Sequence, residues 1–401
     1  STITRLSSLS SARRRIERPR PSAAQTSARL VMLFDPGGRI VPDTRSPDGS
    51  ATAQATSIEI TASAEAGGAL SVSGTTGRSG NARGNNVTLS ATNGSTINSS
   101  GVVNLTATGL VLAGEHFGAG TGGNVNVSAT AGGAVTSSNR FNVDASTRNR
   151  SNTIGQSAAD GIGGNVDFVA DGGTIRAEVY DVDVSSDTVN VAGIGGNAQG
   201  GTINLFARGG GQIAATLDAT NVFNASATTG ISTAGTNATG GTIQLIADAG
   251  SINLAVGAIV AAGGVSGGAT DAAAPISSGS GGTILVRTVA EATDSSAISL
   301  GDFEASAEGR TEVDEESAPG LPRESSGRGQ GGDIDFDIQG GTLNAGSIDV
   351  SANGYGGNGA ADRSLAALGV ALSARERGRV LRAADRHVAA LRLRRAGREE
   401  R

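Results

Sequence analysis

The sequence predicts an all-β protein, a parallel β-helix (a β-solenoid) of about seven coils of roughly 40 residues, with a basic C-terminal helix. Two observations predict this fold: double glycines recur at a regular spacing, and a strand pattern follows each of them. The chain has 401 residues, including 63 Gly, 8 Phe and 2 Tyr, and it contains neither Cys nor Trp. A chain without Cys has no disulfide framework to stabilise it.

The repeat unit begins at a glycine pair, with Asn85 replacing the second glycine in the first unit. Units begin at Gly84, Gly122, Gly163, Gly200, Gly240, Gly281 and Gly331. The third, fifth and seventh residues after each start are almost all apolar, as in Ile243, Leu245 and Ala247, and mostly polar residues lie between them. This period-two alternation predicts a strand with one buried face.

Each unit continues with a second turn, a second short strand and a third alternating stretch, such as 141–145. Three strands per unit in a constant register predict coils that stack at about 4.8 Å. Glycine is expected at each corner because it alone tolerates positive φ without strain. Loops of variable length then lead to the next unit, at 146–162, 185–199, 226–239, 264–280 and 307–330.

The two ends of the chain differ from the repeats, which occupy residues 51–358. Residues 1–50 form a basic low-complexity segment, expected to be a disordered arm rather than a contact for an anionic surface. Residues 359–401 predict an Arg-rich amphipathic helix. Its apolar positions are Leu365, Leu368 and Leu372, and then Val380, Ala384, His387 and Leu391. It is expected to cap the open end of the stack or to be a non-native tail, and membrane binding is the third interpretation.

The net charge of −6 is unevenly distributed. Residues 51–362 contain 11 Arg and 29 acidic residues, a net charge of −18, whereas both ends are basic. An acidic body repels phosphate groups, so the sequence predicts no nucleic-acid partner.

Several units resemble the repeats of filamentous-haemagglutinin-like large exoproteins, the two-partner-secretion adhesins of Gram-negative bacteria: GGNVNVSATAGGAV, GGNVDFVADGGTI, GGTINLFARGGGQI and GGTIQLIADAGSI. The resemblance covers residues 57–358. It implies a right-handed parallel β-helix, export through an outer-membrane secretion partner, and adhesion to host or neighbouring-cell surfaces. Autotransporter passengers have similar coils. The chain lacks an Asn-Pro-Asn-Gly-type motif of the family's secretion domain, so a repeat-region fragment is expected.

Parallel β-helices also include polysaccharide lyases and hydrolases, so a carbohydrate-active enzyme is the alternative function. The richest acidic cluster lies in the third unit and consists of Asp160, Asp167, Asp171, Glu178, Asp181, Asp183 and Asp187. Acid–base catalysis needs converging carboxylates, but the repeat places only Asn126 and Asn204 beside Asp167. These acids are therefore predicted to be solvated, and no enzyme is predicted.

Two further acidic segments have the oxygen ligands that Ca²⁺ prefers. Asp333, Asp335 and Asp337 alternate on one strand, and residues 312–316 are rich in acids. The segment GGNGAAD at 356–362 departs from the Ca²⁺-binding nonapeptide by one position and does not recur. The sequence therefore predicts no metal and no cofactor.

One outward position of the repeat is apolar in three consecutive units. Val169, Phe206 and Ile246 lie six residues into the third, fourth and fifth units, where the alternation points outward. We name these three residues the contact stripe, because stacked apolar residues on an exposed face mark contact sites unless loops cover them. The sequence thus predicts an adhesive stalk, secreted or on the cell surface, that binds surface glycans or proteins through its loop corner. End-to-end self-association is a further option.

Overall fold

The computed structural model describes residues 39–40, 52–55, 58–61, 64–67, 82–112, 119–151, 160–190, 196–217, 219–230, 235–267, 277–290, 295–312, 327–355 and 369–374. All regular secondary structure in these ranges is β-strand. Among these residues, no helix has the length and apolar character needed to cross a membrane.

The strands follow one another in a repeating order. The first part of the chain contains β1 (Arg39–Ile40), β2 (Thr52–Ala55), β3 (Ile58–Thr61), β4 (Ala64–Gly67), β5 (Ala82–Arg83), β6 (Asn86–Thr92), β7 (Thr96–Ser99), β8 (Val103–Thr106), β9 (Gly109–Leu112), β10 (Gly120–Thr121), β11 (Asn124–Thr130), β12 (Ala134–Ser137) and β13 (Arg140–Asp144). The middle contains β14 (Thr147–Ser151), β15 (Gly161–Ile162), β16 (Asn165–Asp171), β17 (Thr174–Ala177), β18 (Val179–Asp183), β19 (Ser186–Asn190), β20 (Ala198–Gln199), β21 (Thr202–Arg208), β22 (Gln212–Ala215), β23 (Asn221–Asn224), β24 (Ala227–Thr229) and β25 (Asn237–Thr239). The last part contains β26 (Thr242–Asp248), β27 (Ser251–Ala261), β28 (Gly264–Gly267), β29 (Ser278–Ser280), β30 (Thr283–Val289), β31 (Ala297–Ser306), β32 (Gly309–Glu312), β33 (Arg328–Gln330), β34 (Asp333–Gln339), β35 (Thr342–Ser351), β36 (Gly354–Tyr355) and β37 (Gly369–Ala374).

These strands form four parallel sheets in the described residues, and the chain passes through them in the order A, B, C, D. Sheet A contains β1, β6, β11, β16, β21, β26, β30, β34 and β37. Sheet B contains β2, β3, β7, β8, β12, β13, β17, β18, β22, β23, β27, β31 and β35. Sheet C contains β4, β9, β14, β19, β24, β28, β32 and β36, and sheet D contains β5, β10, β15, β20, β25, β29 and β33. The protein is therefore a parallel β-solenoid; its handedness and its coil count stay predictions.

The main core lies between sheets A and B. Val166 on β16 pairs in register with Ile203, which pairs with Ile243 on the next strand. All three side chains are fully buried. The same columns continue through the described strands as one apolar cluster. The period-two alternation read from the sequence therefore corresponds to the buried face of sheet A.

Sheets C and D lie in segments that the sequence analysis assigned to loops, so the prediction of three strands per coil is wrong. The inward side chains of sheets C and D are mostly polar or small. Their sequences therefore lack the alternation of apolar and polar residues that predicts a strand. Buried Thr147 donates its hydroxyl to the carbonyl oxygen of Ile162 at 2.6 Å, and Thr188 donates to that of Gly196 at 3.1 Å. Hydroxyl-to-carbonyl bonds therefore join the two sheets.

The glycine pairs that open the units are required because the backbones of neighbouring coils approach closely there. The prediction that these glycines have positive φ is wrong. The Gly201 N–H donates to the Val184 carbonyl across the coil at 2.8 Å. A Cβ on Gly201 would lie 1.9 Å from the carbonyl oxygen of Gly164 in the preceding coil. Positive φ occurs instead at the second turn, for example at Gly172 and Gly210.

Alanine also occupies this second turn with positive φ, at Ala131 (49°) and Ala249 (52°). A left-handed conformation is unfavourable for a residue with a Cβ. We expect Ala249→Gly to raise the free energy of unfolding by about 0.5 kcal/mol, measured by urea denaturation. The control Ala247→Gly, at a buried strand position, is expected to lower it by at least about 1 kcal/mol. A destabilised Ala249→Gly protein would contradict this explanation.

The end segments are described only in part. Residues 369–374 form β37, which pairs with β34 in the register Ile334↔Val370 and Phe336↔Leu372. The helix predicted for 359–401 is not confirmed, and it is wrong for these residues, because Val370, Leu372 and Ala374 continue the alternating columns of sheet A. The other residues of that segment lie outside the described part. So does the predicted disordered arm, apart from β1, which pairs with β6.

Candidate contact surface

The contact stripe lies on the outward face of sheet A. Val169, Phe206 and Ile246 are register partners on β16, β21 and β26, about 4.8 Å apart along the solenoid. All three side chains are partly exposed. Ser128 precedes them in the column and Arg287 follows them. The structure thus places the three residues together at outward positions, and their role in contact stays a prediction.

Charged side chains border the stripe. The Arg208 guanidinium lies over the Phe206 ring, 5.6 Å from its centroid, and pairs with the Asp171 carboxylate at 2.9 Å. Arg287, at the end of the stripe column, pairs with Asp337 at 2.8 Å. The contact stripe is therefore bordered by two ion pairs, Arg208 with Asp171 and Arg287 with Asp337.

Outside the stripe, most outward residues of sheet A are polar, with Leu285 on β30 a partly exposed apolar exception. Several of the polar residues form ladders between neighbouring coils. The Asn124 amide donates to the Asn86 carbonyl oxygen at 2.8 Å, and Asn165 repeats the bond to Asn124 at 3.1 Å. Ser128 and Ser90 bond at 2.9 Å. Because these side chains bond to one another along the face, it is a flat surface rather than a cleft.

Most of the long connections join sheets C and D, and two others, 41–51 and 290–296, join sheets A and B. The connections between sheets C and D are 68–81, 113–119, 152–160, 191–197, 230–236, 268–277 and 313–327. Most of their residues lie outside the described part. The predicted loop boundaries were too wide, because the strands of sheets C and D occupy their ends. Five of the seven connections between sheets C and D fall within the predicted loops, but 41–51 and 290–296 show that long connections are not confined to one corner.

Most acids of the third unit are held apart by neutral or basic partners. Asp167 accepts a hydrogen bond from Asn204 at 2.7 Å. Asp181 pairs with Arg140 at 3.1 Å, and Asp160 accepts the Asn197 N–H at 2.8 Å. Arg148 and Thr228 are the register partners of Asp187 on the two adjacent strands of sheet C. Glu178 is fixed through its backbone, because its main-chain N–H donates to the carbonyl of Asn139 at 2.7 Å. On the first strand of this unit, Asp167 and Asp171 thus pair with Asn204 and Arg208 of the next coil.

In the described residues, sheet B contains two carboxylate pairs that the columns of the first strand do not predict. One is Glu304 and Asp349, register partners on β31 and β35, and the other lies at a turn. Asp144 and Asp183 are register partners on β13 and β18, at the outward end of sheet B. Each accepts the N–H two residues later, from Ser146 and Ser185, at 2.9 Å. Asn224 occupies the next position of the column and accepts the Ser226 N–H in the same way. The shared role of these side chains is therefore to close a turn.

Burial raises the pKa of Asp183 above its ordinary value of 3.8, and the nearby Asp144 carboxylate raises it further. The folded protein then binds more protons than the unfolded chain between the two pKa values. The contribution of Asp183 to stability is thus lost as the pH rises through that window.

Asp183→Asn is therefore expected to be more stable than the wild type at pH 7, because Asn closes this turn at position 224 without a charge. The difference is expected to vanish below about pH 4, where the unfolded Asp is protonated. Thermal unfolding between pH 3 and pH 8 measures it. The control Asp181→Asn removes an exposed ion pair and is expected to cost less than about 1 kcal/mol. A destabilised Asp183→Asn protein at pH 7 would overturn the argument.

The structure groups no metal ligands in the residues it describes: no three His, Cys, Asp or Glu side chains could hold an ion together. Asp337 is largely buried and is bound by Arg287 and Gln339. Residues 313–316 and 356–362 lie outside the described part. A depression of about 380 Å³ at the turns between sheets A and B is lined mainly by glycine, with Gln212, Ser251 and Ser295. These groups can donate hydrogen bonds, but they supply no acid or base.

The chain matches no protein-family model, no curated protein and no solved structure. The resemblance to filamentous-haemagglutinin-like exoproteins therefore stays a prediction, and the parallel β-solenoid is what the structure establishes.

Proposed function

We propose that the protein is a structural, adhesive stalk of a secreted or surface-exposed bacterial exoprotein, of the filamentous-haemagglutinin-like type. One observation carries this proposal: the seven connections between sheets C and D have 7 to 15 residues, whereas those between sheets A and B, apart from 41–51 and 290–296, have only 2 or 3. Insertions at one corner leave the ladders intact, so their length and sequence can vary at little cost to the fold.

The scaffold is suited to presenting such loops. Each coil adds about 4.8 Å to the stack, and the shared core makes neighbouring coils depend on one another. The strands of sheets C and D at which successive loops begin and end therefore lie in rows on a rigid support. The partners we propose are glycans or proteins on host or neighbouring cells, and an outer-membrane protein for export. An autotransporter passenger is the alternative export route, and the acidic repeats disfavour nucleic acid.

The test is to shorten the loop corner without disturbing the coils. Residues 268–277 and 313–327 are replaced by Gly/Ser linkers of the length of 191–197, which joins the same two sheets. Binding of labelled protein to fixed epithelial cells and to Gram-negative bacterial cells is measured by flow cytometry. We expect shortening to weaken binding at least tenfold, whereas the control Asn126→Ser on sheet A leaves it unchanged. Absence of wild-type binding to either cell type, or unchanged binding after shortening, would contradict the proposal.

A second candidate, a carbohydrate-active β-helix, is favoured by the register pair of Asp144 and Asp183 and by the raised pKa of Asp183. The Cα atoms of register partners on adjacent coils are about 4.8 Å apart, and retaining glycosidases hold their two carboxyl groups about 5–5.5 Å apart. Incubation with acidic and neutral polysaccharides, followed by assays for new reducing ends and unsaturated products, tests it. The stalk proposal predicts no product. Product that disappears in Asp183→Asn would establish the second candidate.

A further inference from the structure

We propose that the outward face of sheet A is the interface of a face-to-face dimer, in which a second copy of this chain covers the contact stripe. This inference goes beyond the adhesive function, which uses the loop corner on other sheets. Either proposal can fail without the other.

The first argument is the composition of the face. The central strands β16, β21 and β26 carry the apolar stripe, whereas Asn and Ser ladders cover the strands on the N-terminal side. Flat sheets pack face to face at about 10 Å when their central side chains are apolar. An apolar centre within a polar rim is also the usual anatomy of a protein interface.

The second argument is charge. Two residues further along each strand from the stripe, Asp171, Arg208 and Asp248 are register partners. Arg208 pairs with Asp171, and Asp248 is exposed. The face thus presents an arginine and an acid on adjacent strands, β21 and β26. Such a pair is self-complementary under a two-fold rotation that exchanges the two strands.

A two-fold axis parallel to the strands, midway between β21 and β26, satisfies both arguments. It places Phe206 opposite Ile246 of the second copy, and Arg208 opposite Asp248 of the second copy. Each contact occurs twice, because a two-fold interface is isologous. The same axis places Arg287 of the second copy opposite Val169, between Asp167 and Asp171. Apolar residues therefore meet on the two central strands, and Arg208 and Asp248 meet beside them. On the next strands, Leu285 and Val289 of the second copy lie opposite Asp167 and Asp171.

The area is sufficient for a specific but weak dimer. The strands β6, β11, β16, β21, β26, β30 and β34 each contain 7 residues. With this axis the strands from β11 to β34 overlap with those of the second copy, a footprint of about 700 Å² per copy. Stable interfaces bury about 800 Å² per partner, slightly more than this footprint. Because the predicted interface is at the small end of that range, we expect a dissociation constant in the micromolar range.

The experiment is sedimentation velocity of the full chain from about 1 to 500 µM, with charge reversal at the interface. Phe206→Ser and Arg208→Asp are each expected to weaken dimerisation at least tenfold. The double variant Arg208→Asp with Asp248→Arg restores the opposite charges across the axis and is expected to recover most of the affinity. The matched control is Arg140→Asp on sheet B, because its ion pair with Asp181 has the same exposure, 50% and 39%, as that of Arg208 with Asp171.

Several results would overturn the proposal: a monomer at every concentration, a dimer that Phe206→Ser does not weaken, or an Arg140→Asp effect as large as that of Arg208→Asp. Failure of the double variant to recover affinity would contradict the two-fold arrangement. Circular dichroism of each variant shows whether the solenoid is retained. If the wild type stays monomeric but binds a glycan array through Phe206, the stripe has a different occupant and the dimer is excluded.

Discussion

Gly201→Ala is expected to lower the free energy of unfolding by at least about 3 kcal/mol. The added Cβ would lie 1.9 Å from the Gly164 carbonyl oxygen and within 2.9 Å of the Gly164 nitrogen. Both atoms belong to the backbone of the preceding coil, so neither can rotate away. Moving the strand instead would break the hydrogen bond from Gly201 N–H to the Val184 carbonyl. Urea denaturation followed by circular dichroism measures the loss.

Gly210→Ala is the matched control. Gly210 has a φ of 80°, and a Cβ there would meet no atom within 4 Å. It therefore tests the cost of the backbone conformation alone, which we expect to be about 1 kcal/mol. If the two substitutions cost the same, close approach between coils would not explain the glycine pairs.

Tyr180→Ala is expected to cost about 3–5 kcal/mol, as is usual when a large aromatic side chain is removed from a core. The Tyr180 ring is fully buried. Its centroid lies 5.7 Å from that of Phe141, 5.3 Å from that of Phe168 and 6.4 Å from that of Phe223. Removing this ring would leave a cavity at the centre of the largest aromatic cluster in the described core.

Tyr180→Phe separates the ring from its hydroxyl. The single hydroxyl proton is shared between the carbonyl oxygens of Ile175 at 3.2 Å and Ala214 at 3.3 Å, and burial raises the pKa of Tyr180, so the hydroxyl stays protonated. Losing these bonds is expected to cost about 0.5–1.5 kcal/mol. A Tyr180→Phe loss equal to that of Tyr180→Ala would show that the hydroxyl, rather than aromatic packing, stabilises this region.

The columns of sheet A could be predicted from the sequence because each one is a local pattern repeated at a regular spacing. Ile203, Leu205 and Ala207 alternate with polar residues, and the same alternation in other units made the register visible. The outward position of Phe206 follows from the same parity. Its neighbours across the coils follow from the register.

Sheets C and D could not be predicted in this way. Their inward residues, such as Thr147 and Thr188, have partners on a strand that follows a variable connection. A buried polar side chain whose hydrogen-bond acceptor is a carbonyl far away in the sequence cannot be distinguished from a loop residue by sequence pattern. Buried Asn221 is similar, because its amide bonds the backbone of Tyr180 and Gly257 in the two adjacent coils.

The position of the glycine pairs could be predicted from the sequence, but the reason for them could not. Their recurrence identified the repeat, and positive φ was the local explanation available. The actual cause is contact between the backbones of different coils, which a single unit does not reveal. The pair of Asp144 and Asp183 depends likewise on which units stack and in which register.

The most direct test of the stacked solenoid is a distance between spin labels on one column of sheet A. The chain contains no Cys, so cysteines introduced at Asn86 and Thr283 carry the only labels. Register pairing along β6, β11, β16, β21, β26 and β30 places these positions five coil spacings apart, which is a Cα separation of about 24 Å. Moving the first label from Asn86 to Asn124 is expected to shorten the distance by about 5 Å. A narrow distribution with this shift supports in-register coils, whereas a broad distribution, or one that ignores the shift, would contradict them.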